Sequence, residues 1–150
     1  GRAVLGLMAQ PFTGELFCGD GERAWYTGPG GERALKTRAN GDLASATLMT
    51  TTPALFKGAE AEAYGRVERA VRMPRYGADC YAYCMVASGH VDLVIETGLA
   101  PYDIVALIPI IEGAGGIVTN WEGEPAEGGG RVVAAGDKRL HAAALALLND

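Results

Sequence analysis

The sequence predicts an α/β protein: an antiparallel meander followed by a mixed sheet with flanking helices. Three observations lead there. The first 43 residues are short apolar stretches cut by Gly and Pro. From about residue 45, strand-like and helix-like segments alternate, the pattern of a layered α/β unit. Residues 104–111 form an unbroken apolar run bracketed by Glu96, Asp103 and Glu112, as a helix sandwiched between layers would require.

The elements follow in order. Ala3–Gln10 reads as a strand closed by the turn Pro11–Gly14, "ELFCG" (15–19) as a second, and Glu22–Thr27 as a third after the Gly19-Asp20-Gly21 break. "GPGG" (28–31) reads as a loop. "SATLMTTT" (45–52) is β-branched and strand-like, and residues 59–71 are helical in composition. Glu62 stands four before Arg66, a spacing that favours an ion pair. A buried helix is expected over 81–88, ended by Gly89 at the position where a left-handed residue closes a helix. A strand over 91–96 leads to the apolar helix, in which Pro109 should force a kink. Strands over 115–121 and 131–136 and a closing helix over 138–148 complete the chain.

With 49% hydrophobic and 21% charged residues, the 150-residue chain is one globular domain or part of a larger one. A net charge of -5 gives no reason to expect nucleic acid or an anionic membrane as partner. No apolar run approaches the roughly 20 residues of a membrane helix, and no basic segment leads into an apolar one at the start. Cys18, Cys80 and Cys84 lack paired spacing, so reduced thiols in a cytoplasmic protein are expected. Cys80 and Cys84 are one helical turn apart and could share a metal, but packing is the simpler role. His90 and His141 have no nucleophile spaced to partner them and read as structural or surface residues.

Two places can carry chemistry. In "RMPRYGADCYAY" (72–83), Pro74 and Gly77 break the chain ahead of a helix and Asp79 is placed to cap it. A helix start suits a phosphate, small Gly77 and Ala78 would let the anion approach, and Arg75 could add a guanidinium contact. The plainer reading is a capped helix with an exposed Arg. At the second place, Glu96 stands where a strand meets a loop, and Asp103 stands at the next helix start. Capping alone would explain Asp103, but it would not explain a second acid upstream. Two converging carboxylates can bind a hard cation or a polyhydroxy or amine substrate.

With these residues laid out, the chain resembles the inositol monophosphatase family of metal-dependent phosphomonoesterases. The match is carried by "PYDIVALIPIIEGAGGIVTNWEG" (101–123) and extends to "GRAVLGLMAQPFTGELF" at the start. "RYGADCYAYCMVASGHVDLVIETGLAPYD" (75–103) looks like the histidinol-phosphate phosphatase branch. The resemblance implies Mg²⁺ as cofactor, a small phosphorylated metabolite as substrate and a homodimer. It implies that Asp103 is a metal ligand and that Gly77, Ala78 and Asp79 contact substrate. Glu96 would hold a substrate hydroxyl or amine, and Arg75 would touch substrate as in that branch. L-Histidinol phosphate is then the expected substrate, since Asp79 and Glu96 suit a cationic amine. Inositol monophosphate, or a sugar or nucleotide phosphate, is the alternative, and a non-catalytic binding or dimerisation module is the rival of another class.

The family's remaining metal ligands lie in an acidic pair and a D-P-x-D-G-T segment, neither of which occurs in this sequence. The expectation is a C-terminal portion of a longer phosphatase, inactive alone. Residues 1–43 would then be the remainder of an N-terminal antiparallel sheet and 44–150 a substrate-binding α/β region.

Overall fold

A computed structural model describes residues 1–150 as two sheets and five helices. The first sheet is an antiparallel meander of β1 (Gly6–Gln10), β2 (Glu15–Gly19), β3 (Ala24–Gly28) and β4 (Gly31–Ala34), in that order. The fourth strand falls partly on the segment expected as a loop. Gly28 pairs with Gly31 across a two-residue turn at Pro29 and Gly30, so "GPGG" is a hairpin rather than a break. All four residues of β4 are exposed, which is why no apolar alternation announced it. The first strand also begins three residues later than expected.

The second sheet has the order β6-β5-β7-β9-β8. Its strands are β5 (Thr47–Thr50), β6 (Met73–Tyr76), β7 (Leu93–Leu99), β8 (Ile117–Asn120) and β9 (Gly130–Ala135). β6, β5 and β7 run parallel, while β7, β9 and β8 are antiparallel, so the sheet is mixed as expected. β6 was read as a break because of Pro74; it is an edge strand, where a missing N–H is tolerated.

Period-2 alternation along β7 and β9 builds two cores. Val94, Val132 and Ala134 face the first sheet across α2 (Cys80–Ala87) and α4 (Ile108–Gly113). Leu93, Ile95, Val133 and Ala135 face α1 (Ala59–Ala70) and α5 (Lys138–Leu148). The layers therefore run sheet, helices, sheet, helices. Within the outer layer Arg66 does not pair with Glu62; its Nε donates to Leu147 O at 2.7 Å, joining α1 to the end of α5, where carbonyls lack helical partners.

The expected apolar helix is two short ones. α3 (Pro101–Ile104) precedes α4, with Pro109 in the first turn of α4, where its absent N–H costs nothing. The run is nonetheless buried, as its composition required: Ile104, Leu107, Ile108, Ile110 and Ile111 are each at most 4% exposed.

Arg38, between the sheets, forks onto the buried Asp92 just before β7, Nε to Oδ1 at 2.9 Å, while Thr47 N donates to Oδ2 at 2.7 Å. Burial pushes the Asp92 carboxyl up, but these donors outweigh it and hold the group below its usual range. Its contribution to stability is present above the unfolded carboxylate pKa and lost as pH falls through the folded one. Removing one partner strands a buried charge, so Arg38→Met should cost about 3 kcal/mol in urea denaturation at pH 7. A loss under about 1 kcal/mol would show that water replaces the guanidinium.

Candidate functional site

The parallel strands β6, β5 and β7 share one carboxyl edge, the side of an open α/β sheet where ligands gather. A cleft of about 640 Å³ opens there, with Thr51, Asp79, Cys80, Tyr83, Glu96 and Asp103 among its lining. Three elements converge: the loop after β6, the end of β7 and the helix α3.

Glu96 takes its position from alternation. It shares the face of Val94, turned toward α2, and is 2% exposed. β7 continues to Leu99 rather than stopping at Glu96, but its regular ladder with β9 breaks between those two residues. The carboxylate accepts from Thr51 N at 2.6 Å, Thr51 Oγ1 at 2.9 Å and Thr50 Oγ1 at 3.1 Å. Burial still pushes its pKa up against those bonds, and the Asp79 charge adds to the rise. A carboxyl raised in the folded state stabilises most at low pH and loses that contribution as pH rises through the folded pKa. Glu96→Gln should therefore raise Tm at pH 7, with the gain vanishing in melts taken below about pH 4. An equal gain at both pH values would mean that packing, not charge, sets the difference.

Asp79 occupies the residue before α2 but does not cap it. Gly77, Ala78 and Asp79 have φ of +91°, +71° and +42°, and the last two are the only non-glycine residues with positive φ. Such backbone is costly for residues with a Cβ and marks sites where geometry matters more than stability. The twist takes the Asp79 side chain off the helix end; Oδ1 instead accepts from Thr51 Oγ1 at 3.3 Å. Gly77 N donates to Thr50 O and Thr51 O, both at 3.0 Å, tying the loop to β5.

Asp103 is the third residue of α3 and is exposed. It is not the capping residue, which is Ala100; its Oδ2 accepts from Ala100 N at 2.8 Å, closing the helix start from inside. That leaves Oδ1 for a ligand.

Of the residues singled out from sequence, the cleft brings together Asp79, Glu96 and Asp103. Gly77 and Ala78 shape the loop that delivers Asp79 without lining the cavity. Arg75 lies on β6, exposed and outside the lining, with Nη1 donating to Pro74 O at 2.9 Å. Packing explains Cys84 and Cys18, which are buried, but not Cys80, which is exposed at the start of α2 and lines the cleft. His90 is exposed, a surface residue, and His141 is buried with Nε2 at 2.8 Å from Thr119 Oγ1, a structural one. Sequence reasoning missed Thr51, which donates to both Glu96 and Asp79. Its signal was a Thr run, 50–52, at a strand end.

The donor set is thin for a divalent cation. No group of three or more His, Cys, Asp or Glu side chains comes together to hold a metal, and Glu96 is already engaged by threonines. Magnesium demands near-octahedral oxygen coordination. These residues do not fit it by themselves; Asp103, with one open oxygen, is a single candidate ligand.

The sequence profile of the inositol monophosphatase family matches residues 1–150. The chain is 44% identical over 155 residues to the chloroplastic bifunctional phosphatase IMPL2 of Arabidopsis thaliana, covering 97% of this chain and 44% of that protein. It superposes on an inositol monophosphatase from Zymomonas mobilis with a TM-score of 0.93 and 37% identity, covering 100% of this chain and 59% of that one. A histidinol-phosphatase of Chlorobaculum parvum is 27% identical over 123 residues, 82% of this chain and 47% of the relative. The chain thus spans roughly half the length of the proteins it matches.

Proposed function

The chain belongs to the inositol monophosphatase family, and we propose that it forms the C-terminal, substrate-facing part of a phosphomonoesterase for a small phosphorylated metabolite. The observation that carries this reading is the convergence of Asp79, Glu96 and Asp103 on one cleft at the carboxyl edge of parallel strands. In the reaction a water oxygen bonds to phosphorus, the ester P–O bond breaks, and the alcohol leaves with a proton as inorganic phosphate forms. Magnesium supplies Lewis-acid charge stabilisation in such chemistry, and Asp103 is the ligand this chain would lend it. The other ligands would come from outside these residues. Glu96, held rigid by Thr50 and Thr51, and Asp79, held by Thr51, would accept hydrogen bonds from the alcohol portion and orient it. Residues 44–150 act as the substrate-binding region, supported by the fact that the whole cleft lining falls within them. Residues 1–43, which hold the first sheet, would be the remainder of an N-terminal antiparallel sheet region.

An inositol-type polyol phosphate is the first substrate class, supported by the 37% identity to the Zymomonas protein along the entire chain. The histidinol-phosphate reading from residues 75–103 draws on weaker relatives, at 27% identity in Chlorobaculum. One observation keeps it as the second reading: every charged residue lining the cleft is an acid, which favours an amine. The test is kcat/KM of the full-length enzyme, with Mg²⁺, on inositol 1-phosphate and L-histidinol phosphate. A ratio above about 10 either way decides the class. If the amine is read, Asp79→Asn should lower kcat/KM for histidinol phosphate about tenfold and leave the polyol phosphate within about twofold. No phosphate release from either ester, with ligand binding indifferent to Mg²⁺, would favour a binding module instead.

Homodimerisation and a reducing compartment complete the proposal. The three free thiols support the latter; cytoplasm is the location expected from sequence, whereas the Arabidopsis relative bears a chloroplastic name.

A further inference from the structure

Near the cleft, β7 carries one residue more than the strand it pairs with. Glu96 stands opposite Val132 and Leu99 opposite Gly130, so Thr97 and Gly98 together face Arg131 alone. An extra residue of this kind disrupts the ladder locally and re-aims the side chains beyond it. Strict alternation would send Val94 and Leu99, five positions apart, to opposite faces of the sheet. With the extra residue, both pack against the core that faces the first sheet. Gly98 takes the bend, with φ of +72°. Residues 96–99 line the cleft together with Asp103, so the bulge is the stretch of wall that runs from the buried acid toward the exposed one.

One side chain from outside the sheet reaches both sides of this bulge. Glu60, in the first turn of α1, accepts from Thr97 Oγ1 at 2.7 Å through Oε2, and its Oε1 lies 4.0 Å from Arg131 Nε. Arg131 is held in turn by Glu122 and lies over the Trp121 ring, 5.5 Å from its centroid. The ion pair is long and partly exposed, so it is worth little. The hydrogen bond from Thr97 to a charged carboxylate is the stronger contact. Thr97 is only half-buried, so water can satisfy its hydroxyl and folding does not depend on Glu60.

We infer that Glu60 is a positioning residue: by anchoring Thr97 to α1 it fixes the bulge, and with it the placement of Asp103 relative to Glu96, a role that rests on the phosphomonoesterase reading of the cleft. Glu96 is already pinned by Thr50 and Thr51. The freedom that Glu60 removes is therefore that of the wall leading on to α3.

The test is a double-mutant cycle of Glu60→Ala and Thr97→Val in the full-length protein with Mg²⁺, read as kcat/KM on inositol 1-phosphate and L-histidinol phosphate alongside melts. Hydrolysis of neither ester by the wild type defeats the phosphomonoesterase reading and the role of Glu60 with it. If the wild type hydrolyses one, E60A should lower kcat/KM for that ester about tenfold, because small displacements at a site are costly. T97V should lose about as much, and the double variant no more than either. E60Q, whose amide oxygen still accepts from Thr97, should stay within about twofold of wild type. The Tm of all four variants should stay within about 2 °C of wild type. Wild-type kcat/KM in E60A, multiplied losses in the double variant, E60Q as impaired as E60A, or a fall in Tm that accompanies the loss would overturn the role assigned to Glu60 while leaving the phosphatase reading intact.

Discussion

Asp103→Asn in the full-length enzyme is expected to reduce kcat at least about 100-fold for any phosphomonoester it hydrolyses, with the Tm of the free protein nearly unchanged. The activity loss follows from position. Asp103 presents an open carboxylate oxygen to the cleft from the start of α3, and the substitution replaces one charged oxygen by a neutral amide. Even residues that only support a metal ligand cost about 10–100-fold when replaced. The stability expectation follows from the hydrogen bond at the helix start. Asn retains an oxygen that can accept from Ala100 N, and the side chain is exposed, so little folding energy is at stake. Activity assays at saturating Mg²⁺ together with calorimetric melts separate the two effects. Wild-type kcat in the variant would remove Asp103 from the chemistry.

Gly19→Ala should be strongly damaging to the first sheet, costing about 3 kcal/mol and lowering Tm by roughly 10 °C. A Cβ at Gly19 would run into Pro109 O and the Ile110 Cα, and one at Gly6 into Ala106 O and Pro109 Cγ. The obstacles are mostly backbone, so no side-chain rotation relieves them. The first sheet thus receives the α4 backbone directly, and Gly21 N donates to Pro109 O at 3.2 Å to fix the contact. Because α3 and α4 are joined by three residues, displacing α4 also moves Asp103. Gly19→Ala should lower kcat/KM as well as Tm, whereas Gly128→Ala, where a Cβ meets nothing within 4 Å, should change neither. Denaturant titration of both variants checks this. Equal stability would mean that α4 can lift off the sheet without cost.

Much of the architecture was legible because burial imposes periodicity. β7 and β9 alternate between two cores, and α5 occupies the very span, 138–148, that its composition predicted. The elements that were missed lack that imprint. β4 is exposed on every residue, and β6 is an edge strand built around Pro74, so neither carries an apolar pattern. The split between α3 and α4 was foreshadowed by Pro109, but its place depends on how the chain docks against the first sheet. In the site, the acids Glu96 and Asp103 stood out because charge beside an apolar run is conspicuous. The turn that carries Asp79 into the cleft was invisible, since positive φ at Ala78 and Asp79 has no signature in residue type. Arg75 stands apart: Asp79, four residues on, reaches the cleft, whereas its own strand places Arg75 outside the lining. Thr51 was overlooked because its importance lies in reaching distant acids, its N–H donating to Glu96 and its single hydroxyl proton lying between Glu96 and Asp79.

The reading of this cleft as the substrate side of a phosphomonoesterase is tested most directly by a crystal structure of the full-length protein with Mg²⁺ and inorganic phosphate. The account predicts phosphate at the carboxyl edge of β5, β6 and β7, with Asp103 turned toward it and Asp79 and Glu96 on the alcohol side. Phosphate bound elsewhere, out of reach of Asp103, would contradict it.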